Sequence, residues 1–240
     1  MTSVTYLGHS GFLLELDKEY FLFDFHTGLI PALNPEKELY VFVSHAHQDH
    51  YNRDVWALRK SYAPVNYIVS KDVPLSASQR QRIGLSEADN KRIFRVKENE
   101  VIKPSENITV ETLLSTDEGV AFIVSCDEQT FFHAGDLNLW TWPGDGEAAN
   151  RDRLRRFMME MEKIKGRIFD IAFFPLDPRQ EEDCGNGLRI FQQMTKTAKL
   201  FPMHMWGKFA MIRSYMDKYP DECSNIVMLE YDGQVVRLSD

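Results

Sequence analysis

Three of the seven histidines stand within six residues, in the segment Ser44-His45-Ala46-His47-Gln48-Asp49-His50. Imidazole nitrogens and carboxylate oxygens are protein ligands for zinc and similar divalent metals. An apolar run of strand length, residues 39–43, precedes the segment, and residues 52–59 after it have the pattern of a helix. The motif is therefore predicted to be the turn at the carboxyl end of a buried strand, where α/β proteins usually bind ligands.

The spacing predicts a metal site made of His45, His47, Asp49 and His50. His45 and His47 can converge on one ion, and Asp49 and His50 can reach a second ion close by. The alternative is a solvated histidine turn or a chance metal-scavenging cluster.

The rest of the chain alternates between groups of strands and helix–strand units. Three strands before the motif have the spacing of an antiparallel meander, and another strand follows the helix after the motif. The predicted strands are residues 4–7, 12–16, 20–23, 39–43, 65–70, 93–96, 108–114, 120–124, 130–133, 168–175, 199–202 and a last pair within 226–238. The predicted helices are residues 52–59, one that starts near residue 85, 147–165, 188–194 and 207–219. This duplicated order fits two sheets packed face to face with helices outside.

With this motif in this order of elements, the chain resembles the metallo-β-lactamase fold hydrolases. It is most similar to their branch of small cytoplasmic hydrolases, which includes the ascorbate-6-phosphate lactonase-like proteins. The resemblance implies the fold class α/β, as a four-layer αββα sandwich of two mixed sheets with outer helices. It also implies that residues 1–240 form a single metallo-β-lactamase-like hydrolase domain.

The resemblance assigns further residues to the site. In the segment His133-Ala134-Gly135-Asp136, which follows a predicted strand, Asp136 corresponds to a carboxylate that bridges two metals. His204, after the strand at residues 199–202, corresponds to the histidine that binds the second metal. Asp24, at the end of the third strand, corresponds to an aspartate that orients ligand imidazoles, although a plain turn aspartate is an equal alternative.

The chain departs from the family pattern at one ligand of the first metal. The family carries a third histidine between the first motif and the Gly-Asp motif, and this chain has no histidine between His50 and His133. The register of the strand at residues 108–114 puts Ser115 in that place, and Asp117 is the nearest better ligand. Asp117 is therefore a possible substitute, and the number of metals, one or two, stays open. Zinc is the expected ion, with manganese or iron as alternatives.

Other residues are candidates for the surroundings of the metals. His9 can face the site or be a structural histidine, and His133 is expected to be a neighbour of the site rather than a ligand. Trp140, in the segment Trp140-Thr141-Trp142, either walls a substrate pocket or packs against a helix, and Trp206 next to His204 joins this group. Four arginines at positions 151, 153, 155 and 156 begin a predicted helix, and they either contact an anionic substrate or partner or form a solvated face.

The charge of the chain bears on its partners. A formal net charge of −8 and a pI of about 5.4 argue against sequence-independent binding to nucleic acid. The sequence has no apolar stretch approaching membrane-spanning length and no signal-peptide pattern, and three cysteines without metal-site spacing indicate reduced thiols. These features predict a cytoplasmic protein with a small-molecule substrate, no membrane association and an oligomeric state that the sequence leaves open.

The function predicted from the motif and the resemblance is hydrolysis by metal-activated water of an ester, lactone or phosphodiester. Asp49 is the candidate that orients this water or transfers its proton. One alternative is a nuclease or cyclic-nucleotide phosphodiesterase of the same fold. The other is a non-catalytic metal- or ligand-binding protein whose first metal site has decayed.

Overall fold

The structure of the protein, a computed structural model, describes residues 2–62 and 64–238. These residues form two compact units, one made of the chain up to Lys97 with the residues from Asp232 onward, and one made of Glu98–Tyr231. The single domain predicted from the sequence stays a prediction.

The first unit is built on a mixed sheet of seven strands. The strands are β1 (Thr2–Gly8), β2 (Gly11–Glu15), β3 (Glu19–Phe23), β4 (Glu38–Val43), β5 (Val65–Ser70), β6 (Ile93–Val96) and β13 (Val235–Leu238), in the order β13-β1-β2-β3-β4-β5-β6. β1 to β3 pair antiparallel, as the meander prediction requires, and β3 to β6 pair parallel. The motif strand, β4, thus lies between two parallel neighbours.

The apolar run of the motif strand explains this position. Residues 39–43 are each at most 2% exposed, as expected for a strand covered on both faces. After the motif, a 3₁₀ helix (Arg53–Ala57), capped by the side chain of Asn52, leads into the short helix α1 (Leu58–Ser61). The helix predicted over residues 52–59 is therefore confirmed, as a 3₁₀ helix that continues into a short α-helix. This helix ends at Tyr62, whose backbone is extended at φ −128° and ψ 129°.

Two short capped helices complete the first unit. They are α2 (Ala77–Ile83), which begins at a capping box on Ser76, and α3 (Glu87–Asn90), which begins at a capping box on Ser86. The sequence predicted a helix start near residue 85 but missed α2, because this segment carries few apolar residues and its helical period is weak.

The second unit is built on a mixed sheet of six strands. The strands are β7 (Val101–Ile102), β8 (Ile108–Leu114), β9 (Val120–Cys126), β10 (Gln129–His133), β11 (Ile168–Pro175) and β12 (Lys196–Met203), in the order β12-β11-β10-β9-β8-β7. β7 to β10 pair antiparallel and β10 to β12 pair parallel. The helices are α4 (Glu147–Ile164), α5 (Asn186–Met194) and α6 (Ala210–Lys218).

Two details of the second half differ from the sequence prediction. Within residues 226–238 the structure has one strand, β13, whereas Ile226 forms an isolated bridge with Leu200. In the helix predicted over residues 147–165, the helical spacing of Leu154, Phe157, Met158, Met161 and Ile164 predicts a buried apolar stripe. In α4 Phe157, Met161 and Ile164 are buried, but Leu154 is 41% exposed. None of the helices in the described part of the chain has the length and apolar character needed to span a bilayer.

Candidate metal centre

The motif loop of the first unit brings the imidazoles of His45, His47 and His50 together. Nε2 of His45 lies 3.1 Å from Nδ1 of His47, and the two rings are nearly perpendicular. The rings of His45 and His50 have centroids 4.2 Å apart, and both side chains are fully buried, whereas His47 is exposed. Two ring nitrogens this close together are near enough to bind one ion.

A chain of hydrogen bonds behind the motif fixes which nitrogen of each buried ring carries a proton. Asp24, fully buried, accepts from the hydroxyl of Ser44 at 2.6 Å and from Nδ1 of His50 at 2.8 Å. Because the single proton of Ser44 goes to Asp24, its oxygen accepts from Nδ1 of His45 at 2.9 Å. Neutral His45 and His50 then carry their lone pairs on Nε2, the nitrogen a metal would bind.

The backbone of Asp24 is held in an uncommon conformation for this contact. Its φ is 40°, in the left-handed region that non-glycine residues rarely adopt, and its carboxylate also accepts from the backbone N–H of Ser44 at 2.7 Å. Such backbone strain persists where surrounding contacts fix the residue, and it is often found at functional sites.

Asp49 lies at the edge of the same histidine cluster. Its carboxylate is 3.3 Å from Nε2 of His9, and His9, Asp49 and His50 present donor atoms within 4.8 Å of one another. Burial by itself would raise the pKa of Asp49, but the hydrogen bond from His9 and the charge of His50 outweigh it and hold this pKa well below its usual range. Asp49 is therefore a carboxylate at neutral pH.

In the second unit His204 is the centre of the corresponding group. It follows β12, has a φ of 63° and is 2% exposed. Its Nε2 lies 3.4 Å from a carboxylate oxygen of Asp136, and its Nδ1 donates to Asp177 at 2.8 Å. His204 thus has the same arrangement as His45 and His50, with Nδ1 bound to an oxygen and Nε2 directed at another possible ligand.

Asp177 is a functional candidate that the sequence analysis missed. It is fully buried, and besides the His204 hydrogen bond it accepts from Nε and Nη2 of Arg179 at 2.6–3.1 Å. Burial would raise the pKa of Asp177, but the hydrogen bonds from His204 and Arg179 outweigh it, so this pKa lies well below its usual range. The available signal was its position two residues after the buried parallel strand β11. Ser44 was also missed, although it directly precedes the motif.

Ser115 stands where the resemblance leads us to expect the missing third histidine. Ser115 is 1% exposed, and its hydroxyl accepts from the backbone N–H of Asp117 at 3.2 Å. Asp117 is exposed, and its carboxylate and that of Asp136 present oxygens within 4.8 Å of each other. Within this unit, Asp117 thus lies at a distance from Asp136 that two carboxylates binding one ion can have.

His133 differs from the other histidines of the site. It is fully buried, its ring packs on Phe173, and its Nδ1 accepts from the backbone N–H of Gly135 at 3.2 Å. Gly135 has a φ of 51°, which allows the tight turn that leads to Asp136.

An aromatic group surrounds Asp136 and Asp177. The indole N–H of Trp140 donates to the carbonyl oxygen of Asp136 at 2.8 Å, and Trp140 stacks on Trp142 at 5.6 Å with planes 8° apart. The guanidinium of Arg179 lies 5.4 Å from the Trp142 ring and 4.7 Å from the Trp206 ring, so it contacts both tryptophans. Trp206 is half-exposed and directs its N–H to Asp177 at 3.4 Å. Cation–π contacts of this kind hold the arginine in one orientation.

The chemistry of the donor groups in each unit fits divalent metals. Each of the three buried imidazoles keeps its Nδ1 proton on an oxygen, and the neighbouring groups that they face are further imidazoles or carboxylates. Metal-binding histidines almost always have such an oxygen partner, because it fixes both the tautomer and the orientation of the ring. A mixed nitrogen and carboxylate set suits zinc, manganese and iron alike.

Comparison with known proteins places the chain in a family. Residues 3–141 match the family model of the β-lactamase superfamily domain. A UPF0173 metal-dependent hydrolase of Thermococcus kodakarensis is 27% identical over 241 residues, which cover 96% of this chain and 97% of that protein.

Solved structures give the same fold. Igni18, described as a novel metallo hydrolase from Ignicoccus hospitalis, superposes with a TM-score of 0.64 at 16% identity and covers 98% of this chain and 97% of its own. YhfI from Bacillus subtilis, a metallo-β-lactamase fold protein, superposes with a TM-score of 0.59 at 13% identity and covers 99% of this chain and 100% of its own. The predicted fold class, α/β with two mixed sheets and helices in the metallo-β-lactamase fold, is confirmed. The family predicted from the sequence is confirmed as well: the chain belongs to the β-lactamase superfamily.

Proposed function

We propose that this protein hydrolyses an ester, lactone or phosphodiester bond of a small-molecule substrate, with one or two divalent metal ions in its site. The broader class, a metal-dependent hydrolase of the metallo-β-lactamase superfamily, follows from the family model and the relatives. The observation that carries the proposal is the shared arrangement of His45, His50 and His204, each with Nδ1 bonded to an oxygen and a lone pair on Nε2.

The proposed ligands are those predicted from the sequence. They are His45, His47, Asp49, His50, Asp136 and His204, with Asp117 in place of the absent third histidine. Zinc is the expected ion because it takes imidazole and carboxylate ligands together, and manganese and iron are the alternatives. When bound, the metal lowers the pKa of a coordinated water toward neutrality and polarises the bond to be cleaved.

The remaining steps belong to the side chains. Asp49 is proposed to orient the attacking water and accept its proton, a role supported by its low pKa, since it is ionised at neutral pH. His9 holds this carboxylate through its Nε2. Asp24 and Asp177 hold ligand imidazoles in the tautomer that a metal requires. A small-molecule substrate agrees with the formal net charge of −8, which opposes binding to nucleic acid.

The first experiment measures metal content per chain by elemental analysis, on protein purified without chelator. Asp117→Ala is compared with Glu118→Ala, a change at the neighbouring exposed carboxylate. We expect two ions in the parent, one in Asp117→Ala and two in Glu118→Ala. Equal contents in all three proteins would remove Asp117 from the ligand set. No bound metal in the parent, even after zinc or manganese is added, would support the non-catalytic alternative instead.

The second experiment tests the reaction. The parent and Asp136→Ala are screened against lactone, ester and phosphodiester substrates with added zinc or manganese. We expect turnover in one of these classes by the parent, and loss of both turnover and metal in Asp136→Ala. Full activity and metal content in Asp136→Ala would contradict the proposed ligand set.

A further inference from the structure

The second unit contains a cavity of about 220 Å³ beside the candidate ligand Asp117. One wall is formed by the stacked rings of Trp140 and Trp142, and the lining also includes Thr116 and two arginines of α4. Pockets for drug-sized ligands measure about 300–1,000 Å³, so this cavity has room for one group of a substrate.

The four arginines of α4 divide into two pairs. Arg151 contacts Glu147 at 3.2 Å and Arg155 contacts Asp152 at 2.7 Å, and all four of these side chains are more than half exposed. Arg153 and Arg156 instead line the cavity. Residues three apart lie on one face of a helix, which explains why these two point the same way.

The two cavity arginines are held in different ways. Arg153 forms an ion pair with Asp145 and also donates to the side chain of Asn150 at 3.2 Å. Arg156 donates to the carbonyl oxygen of Thr116 at 3.3 Å, so a neutral backbone group, and no carboxylate, is its hydrogen-bond partner among the described residues. Asp152 acts on Arg156 through its charge, so most N–H donors of this guanidinium stay available to a ligand.

The side chains that line the cavity include a carboxylate, two guanidiniums and two indole rings. Asp117 lies in it with its carboxylate within 4.8 Å of that of Asp136, so this part adjoins the proposed metal ligands. Arg153 and Arg156 provide cationic donors, which suit the planar oxygens of a carboxylate or phosphate. The tryptophans provide a flat apolar surface.

We propose that this cavity binds the part of the substrate that the metals do not touch, and that this part is a ring carrying an oxyanion, a carboxylate or a phosphate. Arg156, together with Arg153, binds the oxyanion, and the Trp140–Trp142 stack contacts the ring. The inference rests on the proposed function, because it assigns the cavity to the substrate of the same site. It makes the substrate an anion, although the protein as a whole is acidic.

Binding of phenyl phosphate, followed by tryptophan fluorescence and calorimetry on the metal-loaded protein, tests this inference. Benzyl alcohol serves as the uncharged probe, benzoate as the carboxylate probe and inorganic phosphate as the probe without a ring. Arg156→Gln and Arg153→Gln are compared with Arg151→Gln and Arg155→Gln, which remove the same charge from the other face of the helix. Metal content is measured in every variant, and only variants with the parent's metal content are compared. Direct binding of an anion to the metal then contributes equally to each measurement.

We expect Arg156→Gln to weaken phenyl phosphate or benzoate binding about tenfold, as for the loss of one charge-assisted hydrogen bond. Arg151→Gln and Arg155→Gln should bind as the parent does, and benzyl alcohol should bind weakly to all variants. The stronger of the two anionic probes identifies the oxyanion. Trp142→Ala should weaken phenyl phosphate but not inorganic phosphate.

Equal effects of all four arginine changes would overturn the inference, because they would reflect the general charge of the helix. Equal binding of benzyl alcohol and the anionic probes would overturn it as well. Since these measurements need no turnover, a protein that binds the anions but hydrolyses nothing would leave this inference standing and refute the proposed reaction alone.

Discussion

Nδ1 of His204 donates a hydrogen bond to the carboxylate of Asp177 at 2.8 Å, and neither side chain is more than 2% exposed. The two residues come from the ends of β12 and β11, which are parallel neighbours in the sheet of the second unit. This contact fixes the tautomer of His204, so that Nε2 is the nitrogen available to bind metal.

The first prediction concerns Asp177→Asn. The asparagine amide has one acceptor oxygen where the carboxylate has two, and it adds an N–H donor, so it holds the His204 tautomer less firmly. The substitution also removes the negative charge that pairs with Arg179. We expect metal affinity to fall about 10- to 100-fold, as for other groups that orient a ligand histidine. Competition with a chromophoric chelator measures this affinity. Glu182→Gln, an exposed change nearby, is the control, and an unchanged affinity in Asp177→Asn would contradict the role given to Asp177.

The second prediction concerns Ser44→Ala. The substitution removes the buried hydroxyl that accepts from His45 and donates to Asp24, so both partners lose a hydrogen bond without access to water. Leaving buried polar groups unsatisfied costs about 1–3 kcal/mol of unfolding free energy. Urea unfolding at a fixed metal concentration measures this change. Ser78→Ala, which alters an exposed hydroxyl on α2, should stay within about 0.5 kcal/mol of the parent, and a similar value for Ser44→Ala would count against the hydrogen-bond chain.

The third prediction concerns pH and His9→Phe. Burial raises the pKa of Asp49, and the hydrogen bond from His9 is the largest effect that lowers it. Without His9 the pKa of Asp49 rises, so the carboxylate becomes protonated at a higher pH than in the parent. Because Asp49 must be ionised to accept a proton, we expect the acidic limb of kcat/KM to move to higher pH, with a larger loss of rate near pH 5 than near pH 8. A loss that is equal at every pH would mean that His9 acts through structure alone.

The fourth prediction concerns Gly187→Ala. A Cβ at Gly187 would lie 2.0 Å from Oδ1 of Asn138 and 3.0 Å from the backbone nitrogen of Leu139. Asn138 is buried and donates to Gln180 at 2.9 Å, so it moves only by disturbing the loop that follows Asp136. We expect a loss of about 1–3 kcal/mol in unfolding free energy, typical of overpacking, together with a lower metal content.

Gly146→Ala provides the control for this change. A Cβ at Gly146 would meet no atom of the described residues within 4 Å, and the residue has a negative φ at the start of α4. Its free energy of unfolding should fall by less than about 1 kcal/mol, because alanine is a poorer N-cap than glycine. Its metal content should equal that of the parent. A similar loss of stability and metal in both variants, measured by denaturant unfolding and elemental analysis, would show that the contact with Asn138 is not the cause.

Local sequence patterns were sufficient for much of the fold. Apolar runs and alternation predicted eleven of the strands in place, because a buried strand needs apolar side chains on one or both faces whatever its neighbours are. The exposed helix α2 and the two-residue strand β7 were missed. Neither buries enough apolar side chains to give the sequence a helical or alternating apolar pattern.

The sequence by itself also determined the family and most of the candidate ligands, because His45, His47, Asp49 and His50 are adjacent and Asp136 and His204 follow recognisable strands. Only the tertiary structure decided which oxygen each imidazole contacts. Asp24 and His50 are 26 residues apart and Asp177 and His204 are 27 apart, so strand pairing and the left-handed backbone at Asp24 and His204 create these contacts. The period of α4 separates its four arginines into faces, but which face lines a cavity depends on what packs against the helix, and no local pattern records that.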